Sequence, residues 1–122
     1  MTIAIWCIFI AATLPYVAFG MVKGLDPVRP RIGVDKLDRQ YQLAYGAHLN
    51  GMETFPWFAA AVIVSHMVGG PSRMADILAV VYVLLRAGHM AAYIRGRQPV
   101  RTTLFALAQL DALAIFILPL FR

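Results

Sequence analysis

The chain has 122 residues, the length of one domain and no more. Hydrophobic residues make up 61% and charged residues 14%, against about 25% charged in soluble domains, so the chain cannot cover a soluble surface and reads as a membrane protein. The net charge of +5 does not indicate nucleic acid, because the bases lie between apolar runs and form no patch on a polar face.

Residues 1–22 carry no charged side chain and are long enough to cross the hydrocarbon at about 1.5 Å per residue. The run lacks the basic start of a signal peptide, so it is expected to stay as a helix, kinked at Pro15. Cys7 lies alone within it, so no intrachain disulfide can form. Residues 23–34 read as a loop, punctuated by Gly24, Pro27, Pro30 and Gly33. Asp35 is expected to cap a second helix over 36–68, with Asp38 in its first turn and a bend at Pro56. Gly69, Gly70 and Pro71 predict a tight turn, after which Ser72 caps a third helix over 73–94. A basic connection through Arg95, Arg97 and Arg101 leads to a fourth helix, starting at Pro99 or Thr102 and ending near Leu118. There is no internal repeat and no second domain. The expected fold is all-α: a membrane-embedded four-helix bundle over residues 1–122.

Loop charge predicts orientation. Lys23, Arg29, Arg31, Lys36 and Arg39 flank the first connection, and Arg95, Arg97 and Arg101 the third; the second has only Arg73. The positive-inside bias then puts loops one and three in the cytoplasm and both termini outside.

Within the second apolar run, Asn50 and Glu53 share a helical face with Gly46 and Leu49, while His48 points the other way. A carboxylate at that depth costs roughly 2.5–3.5 kcal/mol unless partnered. Glu53 is therefore expected to pair with a cation of helix three or four, Arg86 or Arg101. On helix three, Arg86, His89 and Tyr93 share a face, joined by Arg97 if the helix continues. On helix four, Thr102, Phe105 and Gln109 form a stripe. Interhelical hydrogen bonding is enough to explain a single His or Tyr, topology marking explains Arg95 and Arg97, and packing explains Gln109, Asp111 and the Trp57–Phe58 pair. The coincidence goes further than packing. Asn50, Glu53, His89, Tyr93, Arg97, Arg101 and Thr102 are all expected at one cytoplasmic-side depth. They would form a positively charged pocket for an anionic polar molecule, with a lipophilic partner reaching it from the bilayer. His48, His66 and His89 have no metal-ligand spacing and no Cys partners, so no metal is expected.

The segment AHLNGMETFP at 47–56 resembles the helix-two signature of the MAPEG family, the membrane-associated proteins in eicosanoid and glutathione metabolism. The stretch RAGHMAAY at 86–93, followed by RQPVRT at 97–102 and LAQL at 107–110, resembles the helix-three to helix-four region of that family's prostaglandin synthase branch. The resemblance implies a homotrimer with sites between neighbouring subunits near the cytoplasmic face, embedded in membrane lipid. It implies glutathione as cofactor or cosubstrate, contacted by Asn50, Glu53, His89, Tyr93 and Arg101. Arg101, with Thr102 where a relative has serine, corresponds to the thiolate-stabilising position. The implied activity is glutathione-dependent transfer to a lipophilic electrophile, or reduction of a lipid peroxide. Three positions depart from the family pattern. Gly46 and Leu49 stand where active relatives carry arginines, and Phe105 where tyrosine is frequent. These departures favour the alternative of a non-catalytic family member that binds a lipid or a protein partner. A small four-helix exporter fits poorly, because helix one has no carboxylate.

Overall fold

The computed structural model describes residues 1–122. Four α-helices follow in order: α1 (Ile3–Phe19), α2 (Arg39–Gly69), α3 (Arg73–Ile94) and α4 (Gln98–Ile117), with short 3-10 turns at Val34–Lys36 and Leu118–Phe121. There are no strands. α3 and the stretch Gln98–Phe121 are long and apolar enough to cross a membrane, whereas α1 is apolar but shorter. α2 has 31 residues and is therefore roughly 46 Å long, more than a bare span needs.

Local chemistry sets each boundary. Thr2 caps α1 by accepting from the Ile5 amide at 3.3 Å. A second free amide of that turn, Ala4 N–H, donates to Asp76 Oδ1 of α3 at 2.8 Å, so α3 supplies a carboxylate where the α1 dipole is positive. His66 of α2 joins the same end. Its Nδ1 donates to the Val62 carbonyl, so its Nε2 accepts from the Thr2 hydroxyl at 2.8 Å. The expected start of α2 is corrected by a few residues. Asp35 lies in the 3-10 turn and Leu37 is extended, so Asp38 takes the cap position and Arg39 begins the helix. Gln42 fastens that turn by donating to the Asp35 and Leu37 carbonyls. α2 continues through Pro56.

The other boundaries match the expectation closely. Gly70 adopts a left-handed φ of 74° after α2, and the Ser72 hydroxyl accepts from Ala75 N–H to open α3. α3 closes on Gly96 at φ 69°, with Arg97 N–H bonding back to the Ala92 carbonyl and Gly96 N–H to Tyr93. This is the glycine-terminated arrangement that satisfies a helix's last carbonyls. Pro99 lies in the first turn of α4, where a missing N–H costs nothing.

α2 and α3 each pack against the other three helices. The core joins Ala4, Cys7 and Ala11 of α1, Phe58, Ala61 and Val62 of α2, Ala79 and Tyr82 of α3, and Ala108, Ala112 and Ile115 of α4. Alanine at so many contacts lets the backbones approach, as is usual for helix packing in lipid. Phe58 and Tyr82 stack face to face at its centre, 3.9 Å between centroids. Large apolar side chains such as Trp6, Phe9, Trp57, Leu84 and Leu110 point outward, an inversion suited to hydrocarbon surroundings. α1 and α2 meet tightly at one point, where a Cβ on Gly51 would lie 2.7 Å from the Pro15 ring. Beside it His48 Nδ1 donates to the Pro15 carbonyl at 2.8 Å, among the rings of Tyr16, Phe19 and Tyr45. His48 thus ties α1 to α2, on the face opposite Asn50.

Candidate functional site

Where α3 stops and α4 starts, a recess of about 280 Å³ opens between α2, α3 and α4. Asn50 lines it from α2, His89 and Tyr93 from α3, and Arg101, Thr102 and Phe105 from α4. Helical spacing explains the grouping: His89 and Tyr93 are one turn apart, as are Arg101 and Phe105. The short connection through Gly96 brings the two ends together.

Arg101 is the one cation on the wall. Its guanidinium carbon lies 4.4 Å from the centroid of the Tyr93 ring, within the range of a cation–π contact. The His89 ring meets Tyr93 edge-on at 5.8 Å and tilts against Phe105 at 6.2 Å. His89 is buried and its Nδ1 has no partner. That nitrogen is enclosed by protein rather than open to the recess, so it is a polar group buried without a partner. Thr102 Oγ1 accepts from Gln98 Nε2 at 3.0 Å, which leaves its own hydrogen free to donate. Behind the wall, Arg86 Nη2 donates to Asn50 Oδ1 at 2.7 Å. That bond fixes the amide, turning its NH₂ away from Arg86. Arg86 itself is buried, and its Nη1 has no partner.

Of the expected set, Asn50, His89, Tyr93, Arg101 and Thr102 come together, with Phe105 among them. Glu53 does not. It lies on the exposed face of α2, and the chain's one ion pair is Arg29–Asp26 in the first loop. The expected pairing of Glu53 with Arg86 or Arg101 is therefore corrected. Arg86 reaches Asn50 instead, one turn earlier on α2, and Arg101 is taken up by Tyr93. Arg97 also stays out, because α3 ends at Ile94 and leaves it exposed past the helix. Gln109 continues the α4 stripe away from the recess. It lines a separate apolar groove of about 480 Å³ with Trp57, Ala60, Ala61, Ala112, Leu113 and Phe116. The sequence reading missed the role of Arg86 in orienting Asn50. The available signal was a basic residue one turn before His89 on the polar face of α3.

Gly46 is not on the wall of the recess but lies against Tyr93. A Cβ there would fall 2.5 Å from the Tyr93 hydroxyl oxygen and under 3 Å from two ring carbons (2.8 and 2.9 Å). Leu49 is exposed and takes no part in the recess. α2 therefore contributes an amide and no cation.

The recess combines one guanidinium, a free hydroxyl proton and a fixed amide, with the His89 and Tyr93 rings beside them. It can hold an anion and hydrogen-bond a polar molecule of modest size. No curated protein and no solved structure matches the chain. The family model described as the MAPEG family matches residues 3–121, which takes in all four helices and every residue of the recess. The chain thus belongs to the MAPEG family and is a membrane protein of eicosanoid and glutathione metabolism.

Proposed function

We propose that the recess binds glutathione at the cytoplasmic side of a homotrimer and activates its thiol toward a lipophilic electrophile or a lipid peroxide. The observation that carries this reading is Arg101, held against Tyr93 beside a free Thr102 hydroxyl in a recess that has no other cation. Glutathione held there would supply a thiolate. Its sulfur would bond to an electrophilic carbon as a leaving group or opened ring oxygen departs with the electron pair, or would attack a peroxide oxygen as the O–O bond breaks to release an alcohol. A second glutathione would then reduce the sulfenic acid, giving disulfide and water. A cysteine thiol has a pKa near 8.5, so only a few per cent is ionised at neutral pH. Arg101 stabilises the negative sulfur, and the positive end of the α4 dipole adds to it. Thr102 donates one neutral hydrogen bond. Asn50, His89 and Tyr93 hold the peptide, Asn50 through the NH₂ that Arg86 leaves free.

Glu53 supports the assembly. An unpaired carboxylate on the outer face of a membrane helix costs roughly 2.5–3.5 kcal/mol. A neighbouring subunit seated on that face would offer a partner, which makes Glu53 a glutathione-binding or interface residue of a site shared between copies. The basic first and third loops favour the cytoplasmic placement of the recess, with both termini on the far side.

A second reading has its own support. Gly46, Leu49 and Phe105 remove polar contacts that active relatives use. Two lost guanidinium bonds at about 1.5–3 kcal/mol each weaken affinity by roughly 10²- to 10⁴-fold. The apolar groove along Trp57 and Phe116 suits a lipid chain. A family member without turnover, holding a lipid or a protein partner, would look this way. Calorimetric titration with glutathione, together with thiolate absorbance and conjugation of a generic electrophile, separates the two. Millimolar or tighter binding with a thiolate signal supports the first; no binding at millimolar glutathione leaves the second.

A further inference from the structure

We infer that Gly46 is a positioning residue of this site: its missing side chain seats Tyr93, and Tyr93 in turn holds the Arg101 guanidinium at the recess. The chemical role given to Arg101 here rests on the glutathione reading; the seating does not.

Gly46 lies inside α2 with no left-handed φ to require glycine, and glycine is a poor helix former there. Space accounts for it. The Tyr93 hydroxyl and two ring carbons occupy the volume a Cβ would need, at 2.5, 2.8 and 2.9 Å. The same ring carries Arg101 4.4 Å from its centroid and is met edge-on by His89. Tyr93 is thus held by α2, by its own helix and by α4. Arg101 has no carboxylate within ion-pair distance and no side-chain hydrogen bond, so the ring is its defined contact. The atoms in the way belong to the phenol end of Tyr93 rather than to a backbone, so a side chain at position 46 must displace that ring.

The test uses Gly46→Ala in the full-length detergent-solubilised protein. Arginine modification by phenylglyoxal is followed residue by residue with peptide mass spectrometry, with exposed Arg95 and Arg97 as internal references. A cation–π contact of ordinary strength protects by about two- to thirtyfold. Gly46→Ala is expected to speed modification of Arg101 within that range and leave the references unchanged. Tyr93→Leu, which adds no atom at position 46, should give the same acceleration, while Tyr93→Phe keeps the protection. The second readout is the titration of bound glutathione thiol. Gly46→Ala should raise its midpoint, but add nothing in an Arg101→Ala background, where a merely structural defect would still show. An unchanged Arg101 rate in both Gly46→Ala and Tyr93→Leu overturns the seating. A faster Arg101 rate with a thiol midpoint equal to wild type overturns the positioning role. Absence of any thiol signal in wild type refutes the glutathione reading and removes the chemical role with it, while a faster Arg101 rate would still uphold the seating.

Discussion

Arg86 and Arg101 are both arginines of the helix-three to helix-four region, yet their surroundings set them different tasks. Arg101 faces the recess. Arg101→Ala should raise the pKa of a bound thiol and slow conjugation at neutral pH. The deficit should shrink as pH rises toward the free thiol pKa near 8.5, because solution then supplies the thiolate. Thr102→Val removes one neutral donor and should cost less, about 1 kcal/mol of transition-state stabilisation against about 1.5–3 for the charged group. A pH–rate series on both variants checks the order. Arg86 is buried behind Asn50 and has no counter-charge. Arg86→Met should weaken glutathione binding about tenfold, since Asn50 loses its charged partner. It should not lower the melting temperature, because it also removes an uncompensated buried charge. Titration and thermal melting on one sample test both halves. The sequence could show that Asn50, His89, Tyr93, Arg101 and Thr102 share faces and depth, because helical period is a property of spacing. It could not show which arginine meets which acceptor. That depends on the relative rotation of α2 and α3, a packing outcome, and for this reason Glu53 was paired with cations that Asn50 and Tyr93 in fact hold.

At the scale of the helices, two glycines on α2 make opposite predictions. Gly51 lies against the Pro15 ring of α1, 2.7 Å from where a Cβ would fall. A proline ring cannot swing aside, so Gly51→Ala must part α1 from α2 and strain the His48–Pro15 bond. It should destabilise by about 1–3 kcal/mol, the cost of overpacking, seen as a lower melting temperature. At Gly46→Ala the nearest atoms are the phenol end of Tyr93, a side chain rather than a fixed ring of the backbone, and the helix gains propensity, so its melting temperature should hold. Asp76→Ala should cost about 1 kcal/mol by uncapping the first turn of α1. The start of α3 was legible because Ser72 marks it in the local sequence, and its end followed from the basic connection, where the structure adds the left-handed Gly96. The start of α2 was not legible, since two aspartates three residues apart are equally good caps and the extended Leu37 decides between them.

For the whole molecule, composition and the apolar runs between turn and cap signals were enough to read an all-α membrane bundle, and the outward-facing apolar side chains agree with it. The proposed trimer depends on faces that one subunit leaves open. Ala61 and Ala92 are consumed in intrasubunit packing, whereas Ala60, Ala91 and the Glu53 carboxylate stay on the outside. Native mass spectrometry in mild detergent should show a trimer, and Glu53→Leu should shift the mass distribution toward smaller species. The most direct test of the central claim is the ionisation state of glutathione in the recess. Thiolate absorbance is measured across pH on wild-type protein at millimolar glutathione, with Arg101→Ala beside it. The account predicts a bound thiolate at neutral pH in wild type that is lost in the variant and recovered at higher pH. Glutathione that does not bind, or binds with the same thiol titration in both proteins, would contradict it.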